Sequence, residues 1–566
     1  MRTPAAGLEE PRMTTVQPDT DALDQAISEG AEALLLSQRA DGVFDYSADN
    51  LTSTLGTVGA LSALHYADPD GSADLIAAGA GWLRRTQNSD GGWAMVPGLD
   101  SEAGPTAVGS AVLHLVDPEG SASAVSAGQR WMTDFGGLDA IPHPEVVSWC
   151  RQYYGFVGWL GHEEMRRFPL EVALLPGLHR KLFDLRIPMA FALGLAQARH
   201  KPLNPFHRLL ARLGKPHALK AIRQVHEHEG STGAWCENAW VTGLVCTGLA
   251  RAELAPDLVN AAVGWFRTTM HPDGWWQTGP LDAAWTMYAV RGLAEAGYAQ
   301  DQRLTASAEL FVRLQQHRPF LAFGCPPGYW GWAGTAGWPS TLETSEILSV
   351  LCRLPGEQQA KAIDAGVGWL TRMQDSRGSW GLCVRNTKVA NSGPCPMTTV
   401  QAVDALLDSG IPADDGRVRR ALRWLSEVQL PDGAFESVWY RHHTMATAAV
   451  LETFAKAGRA DDETARRATA WLERARQDDG AWGDGHGAPP TVEETGWAVS
   501  GLLAAGTDPA SVRPGVSWLL DRRDAGGGWP SESVNEYVRY VSRYTNPALA
   551  QGMALRALGR YRDSSR

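Results

Sequence analysis

The residues of greatest chemical interest lie in one stretch. GCPPGYWGWAGTAGW (324–338) carries Tyr329, Trp330, Trp332 and Trp338, and WPSTLETSEILSVL (338–351) follows with Glu343 and Glu346. A carboxyl group can donate or accept a proton, and aromatic faces can stabilise a cation. Both carboxylates lie on a helix expected to begin after Pro339, where Glu343 could equally serve as a charge on the helix N-terminus. Glu346 stands at i+4 from Leu342, on the same helix face, whereas Glu343 is turned from it by roughly 100°. Trp285, Trp439, Tyr440 and Tyr544 are further aromatic candidates, each with core packing as its ordinary alternative.

Other chemistries find little support. No Asp-Asp-x-x-Asp run is present for a magnesium-bound diphosphate; Asp461-Asp462-Glu463 and Asp414-Asp415-Gly416 fall short of it. No Asp-x-Cys accompanies the histidine pairs His226/His228 and His442/His443, whose spacing is a weak metal signal, so neither a metal nor another cofactor is expected. Strand signals are almost absent, and with them any phosphate loop following a strand. Lys+Arg 51 against Asp+Glu 63 gives a net charge of −12, which argues against a nucleic-acid partner. Seven cysteines without regular spacing fit a reduced protein better than a disulfide framework.

The elements that must position these groups are repetitive. GWLRRTQNSDGGW (81–93), GWLTRMQDSRGSW (368–380) and RWLSEVQLPDGAF (423–435) share one plan, with weaker copies at 33–44, 264–276, 470–482 and 517–529. Each opens with an apolar pair on a helix and closes in a Gly-rich turn ending on an aromatic. In the C-terminal half the units recur every ~47–55 residues, and stretches of helical apolar spacing such as 398–410 and 491–506 lie between them. The repeat reads helix, turn, helix, turn. Most of the 23 tryptophans are expected to pin these turns and touch no ligand.

These units, Gln87/Trp93, Gln374/Trp380 and Gln429/Phe435, resemble the Gln…Gly-x-Trp repeat of the squalene–hopene and oxidosqualene cyclases. FPLEVALLPGLHRKLFDL (168–185), GAWCENAWVTGLVCTGL (233–249), GAWGDGHGAPPTVEETGWAVSGL (480–502) and the closing RYTNPALAQGMALRALGRY (543–561) extend the resemblance over about residues 24–561. It implies an all-α protein of two α/α toroid (barrel) domains: 24–278, with a membrane-facing region near 168–225, and 279–561 with the reaction chamber, to which the N-terminal tip could be added. Residues 1–23 are expected to be a disordered lead-in. The implied function is protonation-initiated cyclisation of a linear polyprenoid to a polycyclic terpenoid; an isomerase or hydratase on the same chamber, or an isoprenoid-lipid-binding protein, are the alternatives.

The resemblance breaks at the acid. Pro339, Thr344, Ser345 and Glu346 match the family's motif, but Leu342 stands where the donating Asp belongs and Ser340 where the first Asp belongs. Three carboxylates are therefore candidate acids: Glu343, Glu346, and Asp282 in QTGPLDAAW, which matches a family position near the chamber. The implied partners are a linear isoprenoid lipid, a membrane surface on the cytoplasmic side and, further, a second copy of the chain. LNPFHRLLARLGKPHALKAIRQV (203–225), basic and amphipathic in an acidic protein, suits a monotopic attachment or an ordinary solvated helix face. No signal peptide and no membrane-spanning run are seen.

Overall fold

The computed structural model describes residues 20–46, 53–161, 163–175, 177–201, 203–332, 337–538 and 542–566. Helices alternate between an inner and an outer layer, and their composition shows why. Inner helices are apolar on every side: in Thr54–Ala67 each residue from Thr54 to Leu64 is buried. Outer helices bury one stripe only, as Gly416–Val428 does with Val418, Ala421, Leu422, Trp424 and Leu425.

The first barrel has inner helices Thr54–Ala67, Ala103–Val116, Pro144–Phe156, Ile187–His200 and Ala239–Ala252. Ala239–Ala252 packs on both Thr54–Ala67 and Ile187–His200. The ring is completed where Gln197 Nε2 donates to Gln152 Oε1 at 3.1 Å. In the second barrel Asp282–Leu293, Thr341–Arg353, Pro396–Asp408, Thr444–Lys456, Val492–Ala504 and Pro547–Ser564 form a closed ring, the last packing back on the first. The helix Thr20–Leu36 packs on Pro547–Ser564 and so completes the outer layer of this second barrel, not the first. Of the lead-in expected over 1–23, residues 20–23 are helical and 1–19 lie outside the described residues.

The Gln…Gly-x-aromatic units work as clamps between layers. Gln374 Nε2 donates to the carbonyls of Gly378 (2.8 Å) and Arg417 (2.9 Å), tying its own turn to the next outer helix. Trp380 Nε1 donates to Leu370 O at 2.9 Å, so the buried ring leaves no polar atom unsatisfied. Gln87 and Trp93 repeat the arrangement, as does Gln429 with Gly433 and Thr464. Gly378 has φ +100, and a Cβ there would lie 2.8 Å from the Arg420 backbone, so the turn admits no side chain. Burying one such indole of ~200 Å² contributes at most about 5 kcal/mol.

The interior of the second barrel is not hollow. Arg291 bonds Glu346 and Glu295, Arg556 bonds Glu295 and Glu452, and Arg560 reaches both acids, so that charges from several inner helices meet in a buried network. The principal cavity lies instead between the two barrels, and residues of both line it. The chamber expected within 279–561 is therefore a shared one.

Candidate active site

The cavity encloses about 1520 Å³ of empty space, counting its open mouth. Its second-barrel wall is built from N-terminal ends of inner helices and from a hairpin, Asn535–Val538 paired antiparallel with Ser542–Tyr544. The hairpin is joined to the rest of that wall by the bridge between Asn535 and Tyr440. Glu102 reaches from the first barrel, accepting the backbone N–H of Arg543 at 2.7 Å and that of Met95 at 2.8 Å. Burial, set against these two bonds, pushes its carboxyl up to about 8. Glu536 of the hairpin lines the cavity, with Arg543 Nε 3.6 Å from its carboxylate.

Glu343 occupies the first turn of Thr341–Arg353 and is 6% exposed. It lines the cavity together with Leu342, so both positions face the same space. Ser340, just before the helix, donates its hydroxyl to Glu343 Oε2. Burial raises the Glu343 carboxyl to about 7; the Ser340 bond opposes this and the negative charge of Glu346 adds to it. A carboxyl at that value carries its proton for much of the time near neutrality, which is what a general acid requires.

Glu346 does not reach the cavity. It is 1% exposed, bound by Arg291 and by Gln401 Nε2 at 3.0 Å. The i+4 spacing puts it on the face of Leu342 but one turn deeper, among the barrel's ion pairs. Asp282 begins the helix Asp282–Leu293 and is also absent from the cavity wall, although Leu281 and Ala284 are part of it. Its carboxyl is raised by burial and by the charge of Asp45, with Arg39 opposing, which places it toward the N-terminal segment.

The aromatic candidates divide. Trp332, Trp439, Tyr440 and Tyr544 line the cavity. Tyr329, Trp330, Trp338 and Trp285 do not. Trp330 Nε1 donates to Phe311 O at 2.6 Å and makes Trp330 the plug of its own turn, as in the repeats. Trp338 donates to the buried Glu229, Tyr329 meets His228 Nε2 at 3.2 Å, and Trp285 is wholly buried in the core.

Tyr288 belongs to the site although the sequence reading passed it over. Its hydroxyl is hydrogen-bonded to that of Tyr440, and both phenols line the cavity. Burial drives both well above the ordinary phenol range, with the neighbouring charges of Glu346 and Glu343 in the same direction, so both stay neutral. Tyr288 shares its helix face with Leu281 and Ala284, which also line the cavity. Trp149 and Trp240 complete the lining from the first barrel. Among the described residues no group of His, Cys, Asp and Glu could hold a metal ion.

Comparison with known proteins agrees with this architecture. Residues 386–563 match the squalene-hopene cyclase C-terminal domain, and residues 13–158 match the prenyltransferase alpha-alpha toroid domain. Squalene–hopene cyclase of Alicyclobacillus acidocaldarius is 23% identical over 273 residues, 42% of this chain and 42% of that one, so the match spans less than half of the curated relative. The ent-copalyl diphosphate synthase from Streptomyces platensis has the same fold, with a TM-score of 0.58 at 17% identity over 95% of this chain and 99% of that one. The type II terpene cyclase MstE from Scytonema covers 54% of this chain and 97% of its own at 18% identity, with a TM-score of 0.42. Residues 386–563 thus belong to the squalene-hopene cyclase C-terminal domain family and residues 13–158 to the prenyltransferase alpha-alpha toroid domain family, and the whole chain has the fold of a terpene cyclase.

Proposed function

We propose that the protein cyclises a linear polyprenoid by protonating it, with Glu343 as the acid. The observation that carries this is the place of Glu343: a buried carboxyl on the wall of a large apolar and aromatic cavity, held near half-protonated at neutral pH. The Glu343 O–H bond would break as a new C–H bond forms at one end of a double bond or, in an epoxide, a new O–H bond. The electron pair of the next double bond would then close the first ring. Tyr288, Tyr440, Tyr544, Trp332 and Trp439 would face the travelling cation, each ring contributing about 0.5–2 kcal/mol when desolvated. Loss of a proton from the last cation leaves an isomer of the substrate. With a carboxyl near 7, Glu343 is a weaker donor than an ordinary carboxylic acid, which favours an epoxide or another readily protonated substrate over a plain alkene.

The test is turnover in D₂O. An alkene substrate should gain one non-exchangeable deuterium on carbon, whereas an epoxide gains only an exchangeable O–D and its cyclisation is read as a new product of unchanged mass. A mass gain equal to one water identifies a hydratase, and substrate recovered unchanged from the cavity identifies a binding protein.

We also propose that this chain docks on anionic phospholipid through its first barrel. Leu175, Leu178 and Leu182 are exposed, as are Phe206, Leu209 and Leu213 on the helix Pro205–His228. Pro205–His228 packs on the turn Leu170–Leu174, and Arg180 Nη2 donates to Leu321 O at 2.7 Å, bringing the exposed Leu321 to the same region. Arg208, Arg212, Lys215 and Lys220 are exposed along that helix. Apolar side chains rimmed by cations suit an interfacial surface. Among the described residues no helix is long and apolar enough to cross a membrane. Co-sedimentation with phosphatidylglycerol vesicles should fall at least about tenfold in a Phe206→Ser/Leu209→Ser/Leu213→Ser variant; equal binding would refute this attachment.

A further inference from the structure

The cavity has a polar corner where the two barrels meet. Arg186, at the start of Ile187–His200, lines the cavity and gives Nε to Glu145 and Nη1 to Ser392 Oγ at 2.5 Å. Among the described residues its Nη2 has no hydrogen-bond partner. Glu145 also lines the cavity; its Oε1 takes Arg186 and, at 3.4 Å, the Trp149 indole, and among the described residues its Oε2 takes no donor. Asn391, from the second barrel, is 4% exposed on the same wall, and its buried Oδ1 has no partner among the described residues. A buried amide oxygen without a partner costs about 1–3 kcal/mol unless something supplies a donor.

We infer that Arg186, Glu145 and Asn391 form a subsite for an uncharged, hydroxyl-type head group at one end of the prenyl chain. The inference rests on the proposal that the cavity takes a prenyl chain. A hydroxyl can accept from Arg186 Nη2 and donate to Glu145 Oε2 or to the Asn391 oxygen, so it meets a donor and an acceptor at once. A diphosphate cannot. Its charges need cations without counter-charges, and Glu145 already neutralises Arg186. The carboxylates of Glu343 and Glu536 on the same cavity wall would repel it further. A bare hydrocarbon would leave the three polar groups desolvated and unpaired, and should bind more weakly than the alcohol.

The test measures ligand affinity on the full chain by quenching of tryptophan fluorescence. The three probes are geranylgeraniol, geranylgeranyl diphosphate with Mg²⁺, and the C20 hydrocarbon of the same double-bond pattern lacking the hydroxyl. The alcohol should bind about tenfold more tightly than either of the others, and this comparison needs no variant. In Asn391→Leu the difference between alcohol and hydrocarbon should shrink to within about threefold. Tightest binding of the diphosphate, equal binding of alcohol and hydrocarbon, or binding of none would each overturn the subsite. Mass spectrometry of the same samples separates the two proposals. A preference for the alcohol without any cyclic product upholds the subsite and defeats cyclisation, whereas a cyclic product without the preference does the reverse.

Discussion

Glu346 and Arg291 are locked together inside the second barrel, while three residues earlier on the same helix Glu343 faces the cavity with the Ser340 hydroxyl on its carboxylate. One helix thus carries two buried acids in opposite surroundings. The arginine holds Glu346 in the ion-pair network, whereas no cation among the described residues pairs with Glu343, and burial raises its carboxyl.

The pH dependence follows from that rise. If protonated Glu343 is the donor, kcat/KM should be level below about pH 7 and fall tenfold per pH unit above it. The stability effect runs the same way. A carboxyl raised from 4.5 to about 7 on folding penalises the native state as pH climbs through that window, so the native state gains from acidification toward 4.5. Glu493, likewise raised to about 7 by burial, adds to the same trend. Thermal melts of wild type and Glu343→Gln between pH 5 and 8 check this; the variant should lose part of the dependence.

Replacing Arg291 by Met should destabilise the fold by about 3–5 kcal/mol, because Glu346 and Glu295 would remain buried with less compensation. Denaturant titration measures the loss. An unchanged midpoint would mean that the network is not held as described.

Trp380→Ala should cost about 3–5 kcal/mol through the cavity it leaves and the orphaned Leu370 carbonyl. Gln374→Leu should cost less, about 1–3 kcal/mol, by freeing the Gly378 and Arg417 carbonyls. Neither side chain lines the cavity, so product identity should be preserved in whatever protein remains folded.

Leu342 offers a gain-of-function test. It shares the cavity wall with Glu343, so Leu342→Asp in the Glu343→Gln background places a carboxyl in the same space. Some cyclised product should return. No recovery in a folded double variant would show that position 342 is not aimed at the reacting end of the chain.

The barrels were legible in the sequence because their signal is local. The Gln, Gly and aromatic of each unit lie within a few residues of one another, as Gln374, Gly378 and Trp380 do, and a repeat shows the same spacing many times over. The site was legible only in part because it is assembled over long range. Glu145, Arg186 and Trp240 come from the first barrel, and no periodicity links them to Glu343. The hairpin of 535–538 and 542–544 was missed among helices, although the Tyr and Val content of EYVRYVSRY gave a weak strand signal. Trp330 and Trp338 were misleading for a physical reason: an indole after a Gly-rich turn satisfies its N–H inside the fold before it can face a ligand.

The most direct measurement is product analysis by mass spectrometry of wild type and Glu343→Gln incubated with squalene, oxidosqualene and shorter linear polyprenoids. The wild type should convert at least one of them to a cyclic product of identical mass, and Glu343→Gln, folded and still binding that substrate, should reduce conversion by at least about a thousandfold. A cyclic product formed undiminished by Glu343→Gln would contradict the assignment of the acid.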